Sequence, residues 1–183
     1  ARVRGAVVRG AAAWLPAGSR ARDYLVSLGA DPARCHFFPT APDARGVARA
    51  VDALRRDAGL RARLGLPGDD VVVFIGRVVP DKAPEVLADA FALQRRERRA
   101  HLRVVGDGPM LGEMRRRAGE SDATYAGFLQ PPEVLRRLAA ADVLVLPSRF
   151  ETWGAVATEA LAAGLPVVLS DRGLFYGSIG YGA

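Results

Sequence analysis

Five apolar runs alternate with helix-forming stretches after Asp70, and this alternation constrains the fold more than any other feature of the chain. Each run is followed by a segment long enough to form the crossover helix that parallel strands require. The predicted strands are Val71–Ile75, Leu102–Val105, Ala123–Ala126, Val143–Leu146 and Val167–Leu169. Apolar strands joined by helices predict an α/β fold with a doubly wound parallel sheet.

The helices between these strands are predicted from apolar periodicity and from the proline at the first position of three of them. They cover Pro84–Arg95, Pro109–Arg117, Pro132–Ala140 and Trp153–Ala163. Ligands of such sheets bind at the carboxyl ends of the strands. Residues that directly follow a strand are therefore the candidates for function.

The turn after the fourth strand carries two glutamates, Glu151 and Glu159, eight positions apart. They can reach one ligand if Glu151 lies in the loop and Glu159 on the second turn of the following helix. Thr152 is a candidate N-cap, and Gly154 allows a phosphate to approach the first-turn amides. An ordinary crossover helix with both glutamates in solvent explains the spacing equally well.

The turn after the first strand carries Gly76, Arg77 and Lys82, and Lys82 is the only lysine in a chain with 25 arginines. Two cations beyond one strand end can bind a diphosphate, arginine as a fork and lysine as a point charge. The alternative is that both cations pair on the surface with Asp81 or Glu85.

Glycines also follow the second and third strands. Gly106 and Gly108 suit a tight turn, with Pro109 predicted at the first helical position. The dinucleotide fingerprint is incomplete, since Leu111 stands where its last glycine would be. The third strand leads into Tyr125–Leu129, Y-A-G-F-L, where ordinary loop packing is as good an explanation as ligand binding.

The first 65 residues carry the whole positive excess of a chain whose net charge is +6. They hold 12 arginines and 5 acidic residues, whereas the remainder is close to neutral. Two explanations stay open: solvated arginine-rich helices, or attraction to an anionic membrane, nucleic acid or acidic acceptor. Because the motif-rich region is close to neutral, no nucleic-acid partner is expected. A single cysteine and two histidines exclude a disulfide within the chain and give no metal-ligand set.

The first third is predicted to form a basic helix within residues 1 to 16, then several short elements. These are a strand at Ala11–Leu15, a helix over Arg20–Leu28 capped by Ser19 and ended by Gly29, a strand at Cys35–Phe38, and a helix over Asp43–Leu64. Pro39 and Pro42 bracket a connector between the last two elements.

The segment E-T-W-G-A-V-A-T-E-A-L-A-A-G-L-P-V-V resembles the E-x7-E segment of GT-B retaining glycosyltransferases of family 4, the glycosyl transferases group 1. The G-R dipeptide with its following lysine and the G-D-G-P turn are similar to the same family. The resemblance covers about Val71 to Gly173. One departure is Ala83, which stands where the family usually has glycine after the lysine.

The resemblance implies roles for these residues in binding a nucleotide-sugar donor. Arg77 and Lys82 would neutralise the diphosphate, Glu151 would bind the donor sugar, and Glu159 would bind the ribose. The implied catalytic residues are thus Arg77, Lys82 and Glu151. The other implied donor-binding positions are Gly76, Gly106, Gly108, Gly127, Phe128, Leu129, Trp153, Gly154, Ala155, Val156 and Glu159.

The function implied is that of a retaining glycosyltransferase, which moves a sugar from an activated nucleotide to an acceptor hydroxyl without a metal or other cofactor. Residues 1–41 would be the end of an acceptor-side domain. Residues 42–70 would form a linker and a helix, and residues 71–183 would form a truncated donor-binding domain. We expect a fragment or reduced relative that binds donor but transfers sugar poorly alone. The alternatives are a non-catalytic nucleotide-sugar-binding module and another GT-B-like enzyme such as a nucleotide-sugar epimerase.

The expected partners are the nucleotide-sugar donor and a glycan, lipid or small-molecule acceptor. The resemblance also suggests a bacterial protein of glycan biosynthesis. We expect a cytoplasmic location, with peripheral contact at the inner membrane face as one reading of the basic N-terminal third.

Overall fold

The computed structural model describes residues 2–38, 42–119, 121–151 and 154–171. Its centre is a parallel sheet of five strands in the order β3-β2-β1-β4-β5. The strands are β1 Asp70–Ile75, β2 Ala100–Val105, β3 Ala123–Tyr125, β4 Val143–Leu146 and β5 Val167–Leu169. This confirms the predicted doubly wound α/β fold, and the strand bounds differ from those predicted by two residues at most.

Eight α-helices lie along the described residues. They are α1 Arg2–Arg9, α2 Ser19–Ser27, α3 Ala44–Arg55, α4 Leu60–Arg63, α5 Pro84–Gln94, α6 Leu111–Ala118, α7 Pro131–Ala140 and α8 Ala155–Ala162. Helices α5 and α6 contact each other, while α3 contacts both α7 and α8. Short 3-10 turns at Pro32–Arg34 and Pro80–Lys82 complete the secondary structure of these residues.

The sheet is covered by helices, and its central strands are the most deeply buried. Phe74, Leu102 and Leu144 have no solvent exposure, nor do Met114 of α6 and Leu138 of α7. Burial of a side chain of this size contributes about 1.5–3 kcal/mol. The core therefore fixes β1, β2 and β4 as a rigid platform whose carboxyl ends share one edge.

Helices α3 and α4 correct the prediction of one helix over Asp43–Leu64. The chain turns at Asp57, whose Oδ1 accepts a hydrogen bond from the Gly59 amide over 3.1 Å. Aspartate and glycine both favour such a turn over continued helix. Val51 of α3 and Leu60 of α4 are nevertheless both buried in the core.

Several predicted helix starts differ from the structure, including that of α7, which begins at Pro131 and not at Pro132. Ser19 lies inside α2, where Gly18 is the N-cap. Helix α6 starts at Leu111 after Met110, because the Met110 amide donates to Val78 O of the turn after β1. The predicted helix at Trp153 starts at Ala155 with Gly154 as its N-cap, while the predicted cap Thr152 and Trp153 itself lie outside the described residues.

The N-terminal residues pair as a short α/β unit. Trp14 and Cys35 form a parallel bridge, with the Trp14 amide donating to Arg34 O over 3.1 Å and the His36 amide to Trp14 O over 2.9 Å. The two predicted strands of this region are therefore reduced to a single bridged pair. Gly29 follows α2 with a φ of 101°, as expected of a helix-ending glycine.

The connector that begins at Pro39 lies partly outside the described residues, since 39–41 are among those left undescribed. No helix in the part of the chain that the structure describes is long and apolar enough to cross a membrane.

Candidate functional site

Three glycine-containing turns stack against one another at the carboxyl edge of the sheet. The Gly76 amide donates to Val105 O over 2.9 Å, and the Gly106 amide donates to Gly127 O over 2.7 Å. The turns after β1, β2 and β3 are therefore joined backbone to backbone. The predicted donor-binding positions Gly76, Gly106 and Gly127 are thus adjacent in space.

Gly106 and Gly108 are needed because the backbone of the turn after β1 lies directly against them. A Cβ atom on Gly106 would overlap Gly76 O, and one on Gly108 would overlap Val78 O. Gly106 also has a φ of 130°, a region that favours glycine. The packing between loops thus requires both glycines, independently of any bound phosphate.

A cleft of about 340 Å³ opens beside these turns. It is mostly apolar, and its walls come from the ends of β1, β2 and β3 and from α7. Ile75, Gly76, Arg77, Val105, Gly106, Asp107, Phe128, Leu129 and Val134 line it. A mostly apolar cleft with a few polar groups at its rim is the usual form of a small-molecule site.

Arg77 is the exposed cation of this cleft. It has no hydrogen bond or ion pair with any residue that the structure describes, so the alternative in which it pairs with Asp81 or Glu85 does not hold for Arg77. Phe128, 77% exposed, stands on the same cleft. Arg77 therefore presents an unpaired guanidinium beside an apolar surface.

Lys82 and Glu151 form an ion pair between the turns after β1 and β4. Lys82 Nζ donates to Glu151 Oε2, and each side chain is only 16% exposed. Ser148, which is buried, donates to the same carboxylate oxygen over 3.4 Å. Two of the predicted catalytic residues therefore meet, although they lie 69 positions apart in sequence.

The other oxygen of Glu151 holds the start of α8. The Gly154 amide donates to Glu151 Oε1 over 3.2 Å, so this amide is already occupied. The amides of Ala155 and Val156 belong to the first helical turn and have no intrahelical acceptor. They remain the predicted donor-binding amides of this segment.

Ala83 adopts the left-handed conformation, with φ 47° and ψ 48°, directly after Lys82. That conformation costs a non-glycine residue about 1–2 kcal/mol. Alanine thus replaces the family's glycine at a position whose left-handed backbone conformation glycine adopts without strain. Ala83 is 1% exposed, so neighbouring residues pack closely around this strained position.

Glu159 lies on the second turn of α8, as the spacing predicted. No described residue pairs with its carboxylate, and burial raises the pKa of Glu159 above the usual 4.5. A desolvated carboxylate is a good acceptor for ligand hydroxyls, because binding replaces the hydrogen bonds that burial removed.

Glu159→Gln is expected to stabilise the protein at pH 7. When folding raises the pKa of a carboxyl, its contribution to stability is complete below the unfolded-state pKa and is lost as pH rises through the folded-state pKa. The charged form therefore costs stability at neutral pH, and the amide removes that cost. Urea unfolding at several pH values should show the difference from wild type shrinking as pH falls toward 4.5. A difference independent of pH would contradict the buried charge.

The structure groups the predicted residues into two neighbouring sets. Gly76, Arg77, Gly106, Phe128 and Leu129 line the cleft, with Gly127 and Gly108 in the turns that shape it. Lys82, Glu151 and Gly154 form the second set, which Ala155 and Val156 extend. The roles of these residues stay predictions, and Trp153 lies outside the described residues.

Sequence reasoning missed five residues of this edge. Asp107 and Val134 line the cleft, Ser148 contacts Glu151, and Arg149 and Glu85 form an ion pair. Asp107, Ser148 and Arg149 directly follow strands or their terminal turns. Their position directly after a strand was the signal in the sequence that could have identified them. Their contact partners could not be predicted, because those depend on which strands are neighbours in the sheet.

Residues 69–179 match the family described as Glycosyl transferases group 1. The chain belongs to this family, which confirms the resemblance drawn from its motifs. D-inositol 3-phosphate glycosyltransferase of Jonesia denitrificans is 38% identical over 157 residues. That alignment covers 79% of this chain and 37% of the relative, so the chain spans well under half of its length.

Two solved structures share the fold. The Anabaena protein HepE, in complex with UDP and glucose, superposes with a TM-score of 0.72 at 22% identity, over 94% of this chain and 48% of that one. Sucrose-phosphate synthase of Thermosynechococcus elongatus gives a TM-score of 0.70 at 26% identity, over 94% and 44% respectively. This chain thus has the fold of about half of each of these proteins.

Proposed function

We propose that this chain carries the donor site of a retaining glycosyltransferase that uses a nucleotide-activated sugar. The observation that carries the proposal is an apolar cleft that lies at the same sheet edge as the Lys82–Glu151 ion pair and bears Arg77, which no described residue pairs with. A nucleotide sugar has matching parts: a base and ribose, an anionic diphosphate, and a sugar rich in hydroxyls. Family membership and the UDP bound by HepE support the same assignment.

Each group has a role in this proposal. The nucleoside occupies the cleft beside Phe128, with its ribose hydroxyls on Glu159. Arg77 and Lys82 neutralise the diphosphate, and Glu151 accepts hydrogen bonds from the donor sugar. Lys82 has three donor hydrogens, so it can contact a phosphate oxygen without leaving Glu151.

The reaction breaks the bond between the anomeric carbon and the diphosphate oxygen and forms one to an acceptor hydroxyl oxygen, with configuration retained. The departing diphosphate oxygen takes the electron pair of the broken bond and accepts the proton released by the acceptor hydroxyl. Arg77 and Lys82 stabilise the negative charge of the departing diphosphate, so the proposal includes no metal ion. The acceptor is a glycan, lipid or small molecule.

The proposal places the protein in the cytoplasm. The N-terminal arginines then face anionic lipid at the inner membrane surface, where each basic residue contributes about 1 kcal/mol of attraction. Sedimentation with vesicles that contain anionic lipid, compared with neutral vesicles, tests this part separately.

Calorimetric titration with UDP, GDP and ADP tests the donor site. One of the three is expected to bind with a dissociation constant on the order of micromolar, and the matching nucleoside much more weakly, since it lacks the diphosphate. Failure of all three to bind a protein that melts cooperatively would overturn the proposal. The melt separates this outcome from a misfolded sample.

A further inference from the structure

The turns that carry Lys82 and Glu151 leave two neighbouring strands, β1 and β4, and must be held together for the two side chains to meet. Part of that connection is backbone. The amides of Arg149 and Phe150 both donate to Asp81 O, over 2.8 and 3.1 Å. The residue before Lys82 is thus fixed to residues just before Glu151.

The side chain of Arg149 adds a second connection to the same turn. Its Nη1 donates to Pro80 O over 3.1 Å, and its Nη2 lies 2.5 Å from Glu85 Oε1. Both partners flank Lys82 in sequence. The guanidinium holds its N–H donors in one rigid plane, so its two ends can face two different acceptors at once.

Glu85 needs Arg149 as its counter-charge. It lies in the first turn of α5 with a side chain only 14% exposed, and no described residue donates a hydrogen bond to either buried carboxylate oxygen, so the charge contact with Arg149 is its compensation. Removing the cation that faces a buried carboxylate strongly destabilises the folded protein. The pair therefore fixes the start of α5, directly after Lys82 and the left-handed Ala83.

From these contacts we propose that Arg149 is a positioning residue: with Glu85 it ties the Lys82 turn to the Glu151 turn and preassembles the diphosphate site before any ligand arrives. This inference rests on the proposed function, because it concerns the same site. Neither Arg149 nor Glu85 is assigned a contact with the donor.

The test compares two substitutions that change the charge in opposite directions. Arg149→Met removes a positive charge and Glu85→Met removes a negative one. If the pair acts through position, both weaken binding of the best of UDP, GDP and ADP by about fivefold or more. The double variant should bind the nucleotide as tightly as the single variant with the lower affinity, because the two substitutions remove the same connection.

The alternative is that Arg149 only attracts the anionic ligand at a distance. Glu85→Met would then tighten binding, since it removes a repulsive carboxylate. Tightened or unchanged binding by Glu85→Met overturns the inference, whatever Arg149→Met does. This variant also decides the question if Arg149→Met fails to fold.

A matched ion pair one turn further along the same helix provides the control. Arg117 Nη1 lies 2.7 Å from Asp89 Oδ2 of α5, on the protein surface. Arg117→Met and Asp89→Leu make the same charge changes as the test pair, and neither should alter the nucleotide affinity by more than about twofold.

Hydrogen exchange without ligand separates this inference from the proposed function. The amides of Arg149 and Phe150 should exchange faster in Arg149→Met and Glu85→Met, while the amides of β1 and β2 keep their protection. Faster exchange in a protein that binds none of the three nucleotides would sink the proposed function and leave the connection standing. Unchanged exchange would overturn the connection itself.

Discussion

Gly106→Ala is expected to lower the free energy of unfolding by about 3–5 kcal/mol, from backbone strain and forced overpacking together. The added Cβ would overlap Gly76 O, and φ at this position is 130°. The atoms that the new Cβ would meet belong to the backbone of Gly76 and not to a flexible side chain, so the turn after β1 must move. Urea unfolding measures the loss, and titration of the surviving folded protein should show weakened nucleotide binding because Arg77 moves with that turn.

Gly112→Ala is the matched control. Gly112 lies in α6, where the nearest atom to an added Cβ would be the end of the Arg116 side chain at 3.8 Å. Alanine there should stabilise the protein by about 0.5–1 kcal/mol, since glycine weakens a helix. If both substitutions had the same small effect, the close packing of the two turns would be wrong.

Lys82→Met is expected to weaken nucleoside diphosphate binding by about 10- to 100-fold, corresponding to the loss of a hydrogen bond to a charged group. Methionine preserves most of the length of the side chain and removes the charge together with its hydrogen-bond donors. The substitution also leaves Glu151 with only Gly154 N and Ser148 Oγ as hydrogen-bond donors among described residues. A modest fall in stability should therefore accompany the loss of affinity.

Arg96→Met controls for the change in net charge. Arg96 is exposed and follows α5 at the end opposite to Lys82, about 16 Å away along the helix. It should leave the nucleotide affinity unchanged. If the two variants weakened binding equally, the effect of Lys82 would be a general charge effect and not a contact with phosphate.

Much of the fold was predictable because its signals are local. Apolar runs mark β1 to β5, and the residues that end them lie at one sheet edge for topological reasons. The errors arose where long-range contacts override local preference. Pro109 precedes α6 instead of starting it, because the Met110 amide donates to Val78 O over 3.1 Å.

The contacts within the site were less predictable than its location. The sequence places Lys82 and Glu151 after separate strands, but their ion pair depends on β1 and β4 being neighbours. Gly106 and Gly108 were predicted for a ligand, yet the backbone of the neighbouring turn already requires them. A short motif records that a position tolerates only glycine, without recording which atom lies opposite.

Hydrogen exchange with and without the best-binding nucleoside diphosphate locates the ligand on the protein. We expect slower exchange with the ligand at the carboxyl edge, in the turns around Gly76, Gly106 and Gly127 and at the start of α8. A second cleft of about 180 Å³ at the opposite edge, lined by Arg55 and Arg61, is the natural competitor for an anion. Protection confined to that cleft would contradict the assignment of the donor site.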